Sequence, residues 1–188
     1  MPSNHSPAEA PLNASPFTGA DIEEILSEKG WLNTAGAERS GTLRGFQGWC
    51  ARAAELLGPQ AGDRESLASL LELVFTFDAA LAMRDPENHE VLARSGAREV
   101  IRELANRVLE GGDIDSDRFK EIVESMKAAI PYRSRAMFHP IRLALAGRAG
   151  EGELDRVILL LDPASKLPFA VPVKTTRQRI LEFCAALD

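Results

Sequence analysis

An all-α fold, a helical bundle of two small subdomains, is what this sequence predicts, and three observations predict it. Apolar residues recur at i, i+3 and i+4 along almost the whole chain. Strand-type alternation of useful length is missing: the one candidate, Phe169 to Val173, is broken by Pro172 and reads as an extended loop. Glycine and proline separate the apolar stripes at intervals suited to short helix–helix connections. With 188 residues, 45% of them apolar and 27% charged, the chain can bury a core of that kind. No apolar run approaches the roughly 20 residues that a transmembrane helix needs.

The elements follow in order. Residues 1–17 read as a disordered leader on a cytoplasmic protein. Met1 to Pro16 is rich in Pro, Ser, Ala and Asn and has no Lys or Arg, so it fits neither a secretory signal nor a transit peptide. After Thr18, Ile22, Ile25 and Leu26 begin an amphipathic segment that Gly30 stops. Phe46, Trp49, Cys50, Ala53, Leu56 and Leu57 form the next stripe, ending at Gly58-Pro59. Asp63 is an N-cap candidate for the longest stripe, Leu67, Leu70, Leu71, Val74, Phe75 and Leu81. Asp85-Pro86 supplies a cap and a first-turn proline for a short helix through Val91.

Ser95 starts another helix, with Ala97, Val100, Ile101, Leu104 and Val108 inward and Gly111-Gly112 as its end. Ser116 starts the next, with Phe119, Ile122, Val123, Met126 and Ile130 inward, and Pro131 stops it. This closes an N-terminal helical subdomain, residues 18–130. The C-terminal subdomain, 131–188, holds a helix from near Ser134, a stripe at Leu154, Val157, Ile158 and Leu161, and a last stripe at Ile180, Cys184 and Leu187. No internal repeat at solenoid periods occurs.

Chemistry that needs a reactive site finds little to work with. His5, His89 and His139 are scattered, and no Cys/His spacing suits zinc. Asp113, Asp115 and Asp117 look superficially like a calcium loop but lack its glycine and distal glutamate, and they suit a helix N-terminus. No nucleophile has a paired base, and no glycine-rich phosphate loop follows a strand. Cys50 and Cys184 fall at apolar helical positions, as buried thiols do. The expectation is a protein that is not an enzyme by itself and needs no cofactor or metal.

Charge is unevenly placed. The net charge is −6, but residues 1–119 carry 11 Lys and Arg against 20 Asp and Glu, while residues 120–188 carry 11 against 8. A basic face on an acidic protein is what local RNA contact requires; solvated helix surfaces give the same composition.

From Ala136 the chain reads Ala136-Met137-Phe138-His139-Pro140-Ile141-Arg142-Leu143-Ala144-Leu145-Ala146-Gly147-Arg148, then Gly152-Glu153-Leu154 and a helix ending Leu159-Leu160-Leu161. This resembles the pattern Leu-Phe-x-Pro-(Leu/Ile)-Arg-(Val/Leu)-Ala-Leu-Thr-Gly near the C-terminus of bacterial glutamyl-tRNA synthetases, where a Gly-Pro-rich turn and a Leu-rich helix follow. Val91 to Val100 resembles the helix start upstream of that pattern, and helix order agrees from about Asp63 to Asp188. The resemblance implies the all-α anticodon-binding region of that family without its catalytic part. Neither a His-x-Gly-His element nor a Lys-Met-Ser-Lys-Ser loop occurs, so ATP activation of glutamate is not expected on this chain.

The implied partners are tRNA of the glutamate or glutamine type and a separate synthetase catalytic subunit, with no membrane and no DNA partner. In the family, the motif's arginine and the loop after it lie against the anticodon. Carried over, that points to Arg142 and to Glu151, Gly152 and Leu154, with Leu154 as an apolar contact to a base. Arg133, Arg135 and Arg148 flank the element as phosphate-binding candidates, and Arg177 and Arg179, which open the last helix, are RNA-binding candidates too. His139 reads as a packed or solvent-facing histidine.

Physically, Pro140 either starts a helical turn or kinks the helix that holds it, and Gly147 suits a left-handed cap. There are departures from the pattern. Ala146 replaces the family's threonine, Glu151-Gly152 replaces the Gly-Pro turn with an anion that repels phosphate, and the stretch from Leu161 to Thr175 is longer. The alternative is a protein-interaction module on the same scaffold, motivated by the acidic half, by Glu151 and Glu153, and by an exposed Trp31, or a repurposed synthetase relic that no longer binds RNA.

Overall fold

The computed structural model describes residues 15–33 and 40–187, and the leader expected over residues 1–17 lies outside them up to residue 14. The described chain is helical throughout, with no strand. Among the described residues, ten α-helices follow one another: α1 Gly19–Glu28, α2 Ser40–Leu57, α3 Arg64–Phe75, α4 Ala79–Ala82, α5 Pro86–Ala93, α6 Ala97–Glu110, α7 Ser116–Ala129, α8 Ser134–Ala146, α9 Glu153–Ser165 and α10 Thr176–Leu187. A 3-10 turn, Gly58–Gln60, joins α2 to the α3 cap. Among the described residues, no helix is long and apolar enough to cross a membrane.

Local chemistry sets most boundaries. Asp63, Asp78, Asp85 and Asp115 cap α3, α4, α5 and α7 by accepting from a first-turn backbone N–H. Thr18 and Asp21 form a reciprocal box at α1, and their hydrogen bonds hold the Asp21 carboxyl below its ordinary range. Gly147 ends α8 with φ 89°, a conformation that costs a side chain but not glycine. Ser95 does not cap α6; the cap is Gly96, one residue later, because the backbone there turns through φ 87°.

Helices α8 and α9 lie at the centre. Pro140 sits inside α8 rather than at its start, and Pro140 to Ala146 are all buried. Leu154 and Val157 to Leu161 are buried along α9. A helix that is apolar on nearly all sides must be covered on nearly all sides. Helices α2, α3 and α8 cover α9, while α5, α6 and α10 cover α8. Asp162, itself buried, ties three segments together by accepting from the Ile114 N–H and from both the N–H and hydroxyl of Thr176.

Two expectations change here. Leu81 does not extend the α3 stripe: α3 ends at Phe75, the chain turns at Phe77-Asp78, and Leu81 emerges on α4 with 61% of its surface exposed. Trp31 is not exposed. It stacks on Phe75 with ring centroids 4.6 Å apart, in an aromatic cluster with Trp49 and Phe169. That burial removes one motive for the protein-interaction alternative. Trp49 is core as expected, its indole N–H donating to the Leu160 carbonyl at 3.1 Å. Cys50 is buried, which pushes its thiol up to about 12, and no disulfide forms.

Candidate nucleic-acid interface

The turn between α8 and α9, residues 147–152, is held from two sides. From α8, Arg142 reaches across it: Nε and Nη2 donate to the two carboxylate oxygens of Asp155 at 2.7 and 2.8 Å, and Nη1 donates to the Gly150 carbonyl at 2.7 Å. The guanidinium also lies over the Phe138 ring, 5.1 Å from its centroid. From α5, the buried Asn88 accepts from the Ala149 N–H and donates to the Ala82 carbonyl. A two-pronged arginine–carboxylate pair plus a fixed glycine cap leaves this turn little freedom.

Arg142 is therefore not an open RNA ligand. It is only 6% exposed, and its donors are already engaged. Leu154 is buried as well, so it offers no face to a base. The exposed groups on the turn are Arg148, Glu151 and Gly152, with Arg135 beside them on the first turn of α8. Arg135 pairs with Glu151 at 3.0 Å. Arg148 is exposed and has no ion pair with any described residue.

The remaining arginines lie elsewhere. Arg133 donates to the carbonyls of Lys127, Ile130 and Tyr132 and so closes the C-terminal end of α7. Arg177 is exposed and donates to the Leu109 carbonyl at the end of α6. Arg179, expected to face RNA, is instead fully buried. It donates to the carbonyls of Leu73, Val74, Leu145 and Lys174 and stacks over Phe77. Leu73 and Val74 lie in the last turn of α3 and Leu145 in the last turn of α8, where helix dipoles favour a cation. Burial pushes the Arg179 guanidinium down to about 9, which still leaves it charged at neutral pH.

Two residues beside the turn carry little sequence signal. Arg94, the C-cap of α5, brings Nη1 to 3.3 Å from His139 Nδ1. His139 is mostly buried, and that burial, with Arg94, Arg142 and Arg135 around it, holds its pKa below the ordinary imidazole value against the opposing pull of Glu151. Tertiary packing alone brings Arg94 to the motif, 45 residues away in sequence.

Parts of the chain are distantly similar to glutamate–tRNA ligases. Over 117 residues, 62% of this chain, it is 23% identical to glutamate–tRNA ligase 2 of Syntrophus aciditrophicus (strain SB), and it covers 24% of that protein. Over 100 residues, 50% of this chain, it is 28% identical to glutamate–tRNA ligase of Sulfurihydrogenibium sp. (strain YO3AOP1), and it covers 21% of that protein. The chain thus spans less than a quarter of the length of these curated relatives. No family model and no solved structure matches.

Proposed function

We propose that this chain is a non-catalytic tRNA-binding module that grips the anticodon loop of a glutamate- or glutamine-type tRNA with the α8–α9 turn. Residues 131–188 are the RNA-facing part and the helices before them its support. The tethering of the turn by Arg142, Asp155 and Asn88 carries this reading. Single-stranded RNA is read by unstacked bases and phosphates against fixed side chains and backbone groups, so a preorganised turn beside exposed cations suits that task. Arg148 and Arg135 are the phosphate contacts, and Arg142 positions the turn rather than touching RNA. The similarity to glutamate–tRNA ligases supports tRNA as the kind of partner. Charging the bound tRNA would then fall to a separate catalytic unit, whose local tRNA concentration this module raises.

Fluorescence-anisotropy titration with labelled tRNA tests the proposal. Affinity is expected to fall as salt rises, with a log–log slope of about −0.7 per single-strand phosphate contact. The variant Arg148→Ala should bind more weakly and flatten that slope by about one contact. An affinity insensitive to salt and to Arg148→Ala refutes it.

A further inference from the structure

One carboxylate closes over the cationic cluster beside the turn. Glu151 Oε1 lies 3.0 Å from Arg135 Nη2 and 3.8 Å from His139 Nε2, and its Oε2 lies 3.9 Å from Arg142 Nη1. On the other side of the imidazole, the Arg94 guanidinium faces Nδ1. Arginine has only donors, so Nδ1 accepts and the ring proton belongs on Nε2. That N–H points toward Glu151 at a distance too long for a hydrogen bond, and it is shielded from solvent without any partner. It is the only buried side-chain polar atom among the described residues left in that condition.

Glu151 holds its place weakly. It is 60% exposed and its main partner, Arg135, is 74% exposed, the kind of pair that contributes little in water. Arg142 cannot turn to it, being engaged with Asp155 and Gly150. The planar carboxylate therefore satisfies Arg135 and leaves the His139 N–H unmet. A phosphodiester, with two non-bridging oxygens in a tetrahedral arrangement, has one oxygen for Arg135 and a second for His139 Nε2.

We infer that Arg135 and His139, backed by the fixed charges of Arg94 and Arg142, form a phosphate cradle in which Glu151 is a resident competitor, and that RNA enters by displacing the Glu151 side chain. This deepens the tRNA-binding reading and rests on it for the source of the phosphate. The His139 ring acts as a neutral donor held by Arg94, Arg135 supplies the mobile cation, and Arg142 adds fixed charge from behind. Glu151 weakens phosphate binding without touching the fold, so it sets how much RNA the module retains.

The test uses the full chain in three forms: unaltered, Glu151→Gln and Arg135→Ala. Each is titrated with inorganic phosphate while the His139 ring nitrogens are followed by NMR, the signals being assigned by their loss in His139→Gln. Each is also titrated with tRNA by anisotropy. Removing a carboxylate about 4 Å from the incoming phosphate is expected to tighten both titrations on the order of tenfold. In Arg135→Ala the His139 shift should weaken by at least as much.

Identical phosphate titrations in the unaltered and Glu151→Gln chains, or no His139 response in either, overturn the inference. Phosphate entry into Glu151→Gln with no tRNA binding by any form leaves the cradle standing and removes the tRNA reading. Equal tRNA binding by all three forms keeps the tRNA reading and removes the cradle.

Discussion

Arg142 and Asp155, 13 residues apart, form a two-pronged ion pair that locks the end of α8 to the first turn of α9. The Arg142 side chain is 8% exposed and that of Asp155 22%, so neither is well hydrated when its partner is lost. Replacing Asp155 with Ala leaves a buried cation facing the Gly150 carbonyl, the Phe138 ring and, 3.9 Å away, the exposed Glu151 carboxylate. That should cost about 3 kcal/mol. Urea unfolding measures it as a lower midpoint with an unchanged slope.

Arg179 should prove less replaceable than its charge implies. Its fork reaches four carbonyls from the ends of α3 and α8 and from the segment entering α10. Lysine keeps the charge but has one nitrogen, so Arg179→Lys leaves buried carbonyls without donors and should cost about 3 kcal/mol. Thermal melts of the two proteins side by side provide the comparison, and full stability of Arg179→Lys would show that charge alone suffices.

Two glycines with similar backbones should respond differently to alanine. Gly147 has φ 89° and a Cβ there would stand in ordinary van der Waals contact with the Phe77 ring, so Gly147→Ala costs only the left-handed conformation, about 1 kcal/mol. Gly96 has φ 87° and the Tyr132 ring packed where a Cβ would stand. Gly96→Ala should cost more than Gly147→Ala, and Tyr132→Ala in the same chain should recover part of the difference. Equal losses in the two single variants would mean that the ring moves aside freely.

Most of the helices and several of their caps were legible in the sequence because they depend on neighbours a few residues away, although Leu81 belongs to the short α4 with its Asp78 cap and Gly96, not Ser95, caps α6. Asp63, Asp85-Pro86 and Gly147 each do what their local chemistry requires. What was not legible depends on long-range packing. No pattern marks Asp155 as the partner of Arg142, and an arginine in the first turn of a helix reads as a surface residue even when, like Arg179, it plugs the meeting point of other helix ends. Trp31 follows a glycine at the end of an apolar stripe, and only the arrival of Phe75 and Phe169 makes it core. His139 was visible only as part of a motif; its neighbour Arg94 comes from another helix.

His139 gives the structure a pH dependence of fixed sign. Its folded pKa lies below the unfolded value near 6.5, so the unfolded chain binds more protons in the interval between the two. Stability is therefore complete above that interval and is lost as pH falls through it toward the folded pKa. Melting temperatures between about pH 7.5 and pH 5 should fall less steeply in His139→Gln than in the unaltered chain. Glu151→Gln removes the one neighbour that raises the His139 pKa, so it should steepen the fall.

The position of the RNA on the protein decides whether the α8–α9 turn is an anticodon-reading surface. Nuclease footprinting of a glutamate- or glutamine-type tRNA bound to the chain reads that position. Protection should centre on the anticodon loop and vanish with the double variant Arg135→Ala/Arg148→Ala, while Lys120→Ala/Lys127→Ala on α7 leaves it intact. Protection confined to the acceptor stem, or a footprint unchanged by the arginine pair, means that the turn does not hold the anticodon.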